Sequence, residues 1–216
     1  MIWFIIATLV AFFIKGLCGF ANTLIFNGIL SYTANNINIS PLEVVLGYPS
    51  NIILVWKERK SLNWKIWLPL TALVVAGSIP GIFLLKHTDA GLLKVIFGIA
   101  VIVIGVEMLF REMKSNRESS NRKPGGSKLV LILIGIISGL LCGLYGVGAL
   151  LAAYVSRVAE NSHEFKANIC VVFVVENTIR IILYVATGIL TLSVLKQVVI
   201  LIPFMLAAVF LGMKSS

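Results

Sequence analysis

Apolar residues run in long stretches along this chain, and polar residues gather in the gaps between them. The stretches are Met1–Tyr32, interrupted near Lys15–Asn22; Leu42–Trp56; Ile66–Leu85; Gly91–Phe110; Leu129–Val155, interrupted near Cys142–Gly148; Asn168–Val185; and Lys196–Met213. Several reach the roughly 20 apolar residues that a helix needs to cross a bilayer. A spanning backbone must satisfy its own hydrogen bonds, so each is expected to be a helix. The pattern predicts an all-α polytopic membrane protein with about seven transmembrane helices. Three helix starts carry capping signals. Ser40-Pro41-Leu42-Glu43 reads as a capping box with Pro in the first turn. Thr88-Asp89 reads as the cap of the Gly91 span, and Ser162 as the cap of the helix toward Asn168.

Composition supports the membrane reading. Of 216 residues, 59% are hydrophobic and 12% charged, and the mean hydropathy is +1.01. A soluble domain of this size has no core large enough to hide so much apolar surface. The net charge of +9 would suggest nucleic acid on a soluble protein. Here the basic residues sit in short loops, as the positive-inside rule describes, so no nucleic-acid partner is expected. The two most basic segments are Lys57–Lys65, "KERKSLNWK", and Arg111–Lys128, "REMKSNRESSNRKPGGSK". The second reads as a polar linker. Both are expected in the cytoplasm, with two spans between them. The N-terminus is then cytoplasmic if the first segment crosses once, and on the other side if that segment is a re-entrant hairpin. No basic n-region or A-x-A site is present, so no cleavable signal is expected. Cys18, Cys142 and Cys170 are too few, and too deep in apolar sequence, for a disulfide framework.

The chain divides into two similar halves. Residues 1–110 form a first membrane repeat, 111–128 a cytoplasmic linker, and 129–216 a second repeat that lacks a counterpart to the Gly91–Phe110 span. Each half opens with an apolar run that breaks, at Leu17-Cys18-Gly19-Phe20 and at Leu141-Cys142-Gly143-Leu144, with Gly146 and Gly148 following in the second. Each continues with a helix carrying Asn, Asn51 or Asn177, and then a span with Pro near its start, Pro69 or Pro203. Gly-interrupted segments at matching places in two halves point to a transporter binding site near the bilayer midplane. A broken helix exposes N–H groups and a positive dipole end, which suit an anion. The alternative for these glycines is close helix packing, as in the ridges Gly135–Gly143 and Gly77/Gly81.

Ionisable residues inside the apolar stretches are the candidate site. Glu176 and Arg180 are four apart on one helix face, a spacing that allows an ion pair. An unpaired charge at the helix centre costs at least ~2.5 kcal/mol. Arg180 is the expected anion contact, and Glu176 a proton carrier or the residue that orients Arg180. Asn51, Asn177 and Asn168 either line the pathway or join helices. Lys15 and Asn22 flank the first break, where Lys15 either meets the anion or snorkels to an interface. Tyr145, inside the second break, offers a hydroxyl. Cys18 and Cys142 occupy matching break positions and are expected near each other at the bundle centre. His87 and His163 lie in loops without a Cys or His partner at ligand spacing, so no metal site is expected.

The segment His163–Lys214 resembles the second half of the TauE/SafE sulfite-exporter family, also called the toluene sulfonate uptake permease group. The resemblance rests on Lys166-Ala167-Asn168, on Glu176-Asn177 with Arg180, on Tyr184 and on Gly188-Ile189-Leu190. In the first half, the glycines near the break and the stretch from Asn51 to Trp64 look like the family's first repeat. The opening glycines are thinned to Gly16-Leu-Cys-Gly19-Phe-Ala-Asn22, and the family usually has about one more helix. The resemblance implies a plasma-membrane secondary carrier for sulfite or a small organosulfur anion. No nucleotide-binding motif or catalytic constellation appears, so neither ATP coupling, a cofactor nor enzymatic activity is expected. A proton or ion gradient, or facilitated efflux, remains as the energy source. The rival reading is a non-transporting membrane scaffold or assembly subunit, which the missing last helix favours.

Overall fold

The computed structural model describes residues 2–32, 36–89, 128–145 and 148–215, with scattered positions between 91 and 106. Its helices are α1 (Ile2–Cys18), α2 (Asn22–Leu30), α3 (Asn36–Glu58), α4 (Trp64–His87), α5 (Lys128–Tyr145), α6 (Ala149–Val158), α7 (Ser162–Ala186) and α8 (Leu192–Lys214). A short 3₁₀ turn, Arg59–Ser61, follows α3. Among the described residues no strand occurs, and four helices there are long and apolar enough to cross a membrane. Most of the Gly91–Phe110 span and the 111–127 part of the linker lie outside the described residues.

The first apolar run folds as a hairpin. α1 stops because Gly19 takes φ +85° and Ala21 takes φ +73°, a left-handed geometry that costs a residue with a Cβ. The chain then returns as α2, and the Phe12 and Phe26 rings meet edge-on at 6.5 Å. α1 packs on α8, where Gly16 and Gly212 bring the two backbones together: a Cβ on Gly16 would lie 2.5 Å from the Val209 carbonyl.

α3 begins at Asn36, well before the expected capping box, so Ser40 and Pro41 are inside the helix and cap nothing. Ser40 Oγ reaches across to the Leu144 carbonyl at 3.5 Å. The cap of α7 is likewise Asn161, not Ser162: the Asn161 side chain accepts from the Glu164 N–H. Asp89 does cap as expected, accepting from the Gly91 and Leu92 N–H groups.

α3 and α7 run antiparallel through the centre. His163 Nδ1 meets Glu58 Oε2 at 2.8 Å at one end. Thr178 donates to the Tyr48 hydroxyl at 3.2 Å further along. Lys57 donates to the Met213 carbonyl at 3.3 Å, which puts the end of α8 at the same end of the bundle as Glu58. α1 approaches that end with Gly16 and extends about 25 Å away from it, so Ile2 lies at the opposite end.

α4 and α5 run parallel along a glycine seam. Gly77 faces Gly139, and Gly81 faces Gly143, with Ser78 between. A Cβ on Gly81 would lie 2.5 Å from the Leu140 carbonyl, and one on Gly139 would press on the Val74 carbonyl. Neither backbone can give way without parting the helices. Gly139→Val should therefore destabilise the protein by about 1–3 kcal/mol, the usual cost of overpacking. A thermal melt of the detergent-purified protein checks this; an unchanged midpoint would mean that the seam is looser than its geometry. Ile182, Val199 and Phe210 stand on the outer surface, more than half exposed. Such a surface is unfavourable in water and suited to lipid tails.

Candidate functional site

Among the described residues, Arg180 is the largest fully buried side chain, at 0% exposure. α7 places it on the face that also carries Glu176, Asn177 and Tyr184, all buried. Its Nε donates to the Tyr184 hydroxyl at 2.9 Å, and its guanidinium carbon stands 5.3 Å from the centre of that ring. The expected ion pair with Glu176 does not form. The carboxylate that faces the guanidinium is Glu43 of α3, with Arg180 Nη1 to Glu43 Oε2 at 3.9 Å. A cross-helix partner can approach the fork of Arg180 head-on, whereas a residue one turn back on the same helix lies alongside its stem.

Glu43 is tied down from the other side. Its Oε1 accepts from Asn22 Nδ2 at 2.5 Å and from Thr23 Oγ1 at 2.7 Å. Both donors open α2, immediately after the first break. Gly47, one turn along α3, makes the space. A Cβ there would lie 3.2 Å from Glu43 Oε1, 3.6 Å from Asn22 Nδ2 and 3.8 Å from Asn177 Nδ2. Residues from α2, α3 and α7 thus converge on one buried polar chamber. Cys142 of α5 is within electrostatic reach of Arg180, Glu176 and Glu43.

The chamber is incompletely satisfied. Arg180 Nη1 and Nη2 and Glu176 Oε1 are buried without a hydrogen-bond partner, and so, further along α3, is Asn51 Oδ1. Buried polar groups are normally paired, since an unmet one costs about 1–3 kcal/mol and more when charged. Two free donors on a planar, fixed cation are the complement of an oxyanion.

Lys15 is also buried, at 1% exposure, with its ammonium 5.9 Å from the centre of the Phe12 ring. It does not snorkel to an interface. It lies in the electrostatic neighbourhood of Glu43 and Cys170, and Cys170 Sγ in turn donates to the Gly19 carbonyl at 3.4 Å. The two breaks share a small cleft, lined by Phe20, Ala21, Asn22, Thr23 and Leu24 from the first and by Gly148 and Ala149 from the second, with Phe173 between them.

Several expected residues fall elsewhere. Asn168 spends both ends of its amide on structure: Oδ1 accepts from the Asn63 N–H at 3.0 Å, and Nδ2 donates to the Glu164 carbonyl at 2.8 Å. It lies twelve residues before Arg180 on α7, about 18 Å away. Cys142 and Gly143 are inside α5, and the second break comes later, between Tyr145 and Ala149. Gly148 is the residue before α6. Cys18 ends α1 and is exposed, so it does not sit at the bundle centre beside buried Cys142. Gly146 and the Tyr145 side chain lie outside the described residues. Sequence reasoning missed Glu43, Thr23 and Gly47. Glu43 was visible as an acid in an apolar run, but the Ser-Pro before it suggested a cap.

A family model described as sulfite exporter TauE/SafE matches residues 4–216 of the chain. No curated protein matches it. No solved structure matches it either.

Proposed function

The chain belongs to the sulfite exporter TauE/SafE family, and from that premise we propose that it carries a small sulfur oxyanion, sulfite or an organosulfonate, across the plasma membrane. The observation that carries the reading is Arg180: wholly buried, held by Tyr184 at Nε, with both terminal nitrogens free of hydrogen bonds. An anion that accepts from Nη1 and Nη2 takes up the position that Glu43 approaches only to 3.9 Å. Asn177 and the N-terminal end of α2 lie at the same chamber, and the helix end adds partial positive charge. A scaffold would have no use for a buried cation with two unmet donors.

The proposed mechanism is alternating access of two inverted halves about the cleft between the breaks. The pairing of α1 with α8 and of α5 with α4 supports that layout, as does the approach of Gly16 on α1 to the end of the bundle that carries Glu58. On this reading the 57–65 and 111–128 loops are both cytoplasmic, because parallel α4 and α5 start at the same end of the bundle. The N-terminus is outside, because α1 and α2 form a hairpin. Single cysteines at Ser61 and Ser119, in a chain cleared of its own cysteines, should both react with an impermeant maleimide only after the cells are opened. Labelling of one from each side would break the layout. The function itself is tested by uptake of labelled sulfite and methanesulfonate into proteoliposomes. Uptake above protein-free vesicles, lost in Arg180→Met, is expected; equal rates with and without protein would refute it.

A further inference from the structure

Resting on the anion reading above, we propose that Glu176 is a proton-loading site, so that one proton enters the chamber with each monoanion and the two cross together without net charge. The argument is one of charge and geometry. Among the described residues, the buried carboxylates and cations at the chamber are Glu43 and Glu176 against Arg180 and Lys15. With all four charged the set is neutral, and an arriving monoanion adds an uncompensated negative charge in a medium that does not tolerate one.

The two carboxylates are not equivalent in meeting that charge. Glu43 accepts from Asn22 and Thr23 and faces the guanidinium, so a negative charge there has partners on two sides. Glu176 is 1% exposed, and its Oε1 accepts from no group. The groups that face it are Glu43 from α3, Cys142 from α5, and Arg180 and Tyr184 from its own helix. Of these only Arg180 is a cation, and the anion would engage that same cation. Glu176 then loses its compensating charge at the moment a second negative charge arrives. It takes a proton from the open side and returns it on the other side, when the anion leaves and Arg180 is free again. The direction of transport is then set jointly by the anion and pH gradients.

Methanesulfonate is the discriminating probe, because it stays a monoanion and cannot itself carry the proton. In proteoliposomes with no pH gradient, adding it outside should acidify the lumen, as read by a trapped pH dye. With an alkaline lumen the anion should accumulate, up to about tenfold per pH unit. Glu176→Gln should abolish gradient-driven accumulation while retaining methanesulfonate exchange between equal pools. Glu176→Asp, still ionisable, should keep accumulation. An unchanged lumen pH during wild-type uptake, or full accumulation by Glu176→Gln, would overturn the proposal. The pH-dye measurement needs no variant, so a misfolded Glu176→Gln protein does not spare it. Exchange that survives Arg180→Met would instead refute the anion site and leave the two failures distinguishable.

Discussion

Arg180→Met is expected to cost about 3–5 kcal/mol of stability, the usual penalty for removing one partner of a buried charge pair, and to abolish anion uptake. The effect should be large because Arg180 serves two carboxylates. Glu43 loses the cation 3.9 Å away, and Glu176 loses the only cation among the described groups that face it. Arg180→Lys separates charge from shape. It keeps a cation on the same stem, so the thermal midpoint should fall less than in Arg180→Met. An ammonium cannot present two parallel donors or hold the Tyr184 hydroxyl from a side nitrogen. A lost hydrogen bond to a charged group is worth roughly 1.5–3 kcal/mol, so uptake should fall at least about tenfold. Uptake by Arg180→Lys at the wild-type rate would mean that the fork is not used and that Arg180 serves only to neutralise its neighbours.

Gly47→Leu is expected to block transport while leaving a folded protein. The new Cβ would lie 3.2 Å from Glu43 Oε1, 3.6 Å from Asn22 Nδ2 and 3.8 Å from Asn177 Nδ2, so the side chain would displace polar groups and not split an apolar seam. Uptake should drop about a hundredfold, the scale at which a misplaced group about 1 Å from its productive position disables a site. Gly28→Leu is the control, since a Cβ there meets nothing within 4 Å. If Gly47→Leu transports normally, the chamber is not on the pathway.

These two substitutions also mark how far the chain could be read before folding. Arg180 and Glu176 stood out because ionisable groups are costly at membrane depth. Gly47 did not, because a glycine in an apolar helix more often serves packing, as Gly77, Gly81, Gly139 and Gly143 do here. Glu43 was misread through local context. Ser-Pro-Leu-Glu is a helix-start signal, but α3 begins at Asn36 and carries Pro41 and Pro49 within it. Tertiary packing overrode a local preference of about one kcal/mol. The same limit applies to the pairing of Arg180. Spacing along one helix identifies residues on a common face, and it cannot reveal a carboxylate 137 positions earlier in the chain.

By itself the sequence determined the environment and the family. Long apolar stretches can be stable only as helices in lipid, and that follows from composition and length without any contact being known. It also marked the ionisable and amide side chains that lie in apolar stretches: Arg180, Glu176, Lys15 and Asn177 are all buried in the folded chain. Only the tertiary structure decided who meets whom. Whether Lys15 reaches an interface or is enclosed beneath Phe12, whether Asn168 lines a path or fastens Asn63, and which acid faces Arg180 all depend on the relative placement of helices far apart in sequence. That placement is fixed by the glycine seams and the turn at Gly19 and Ala21. The sequence carries those features only as small residues, and their partners lie on other helices.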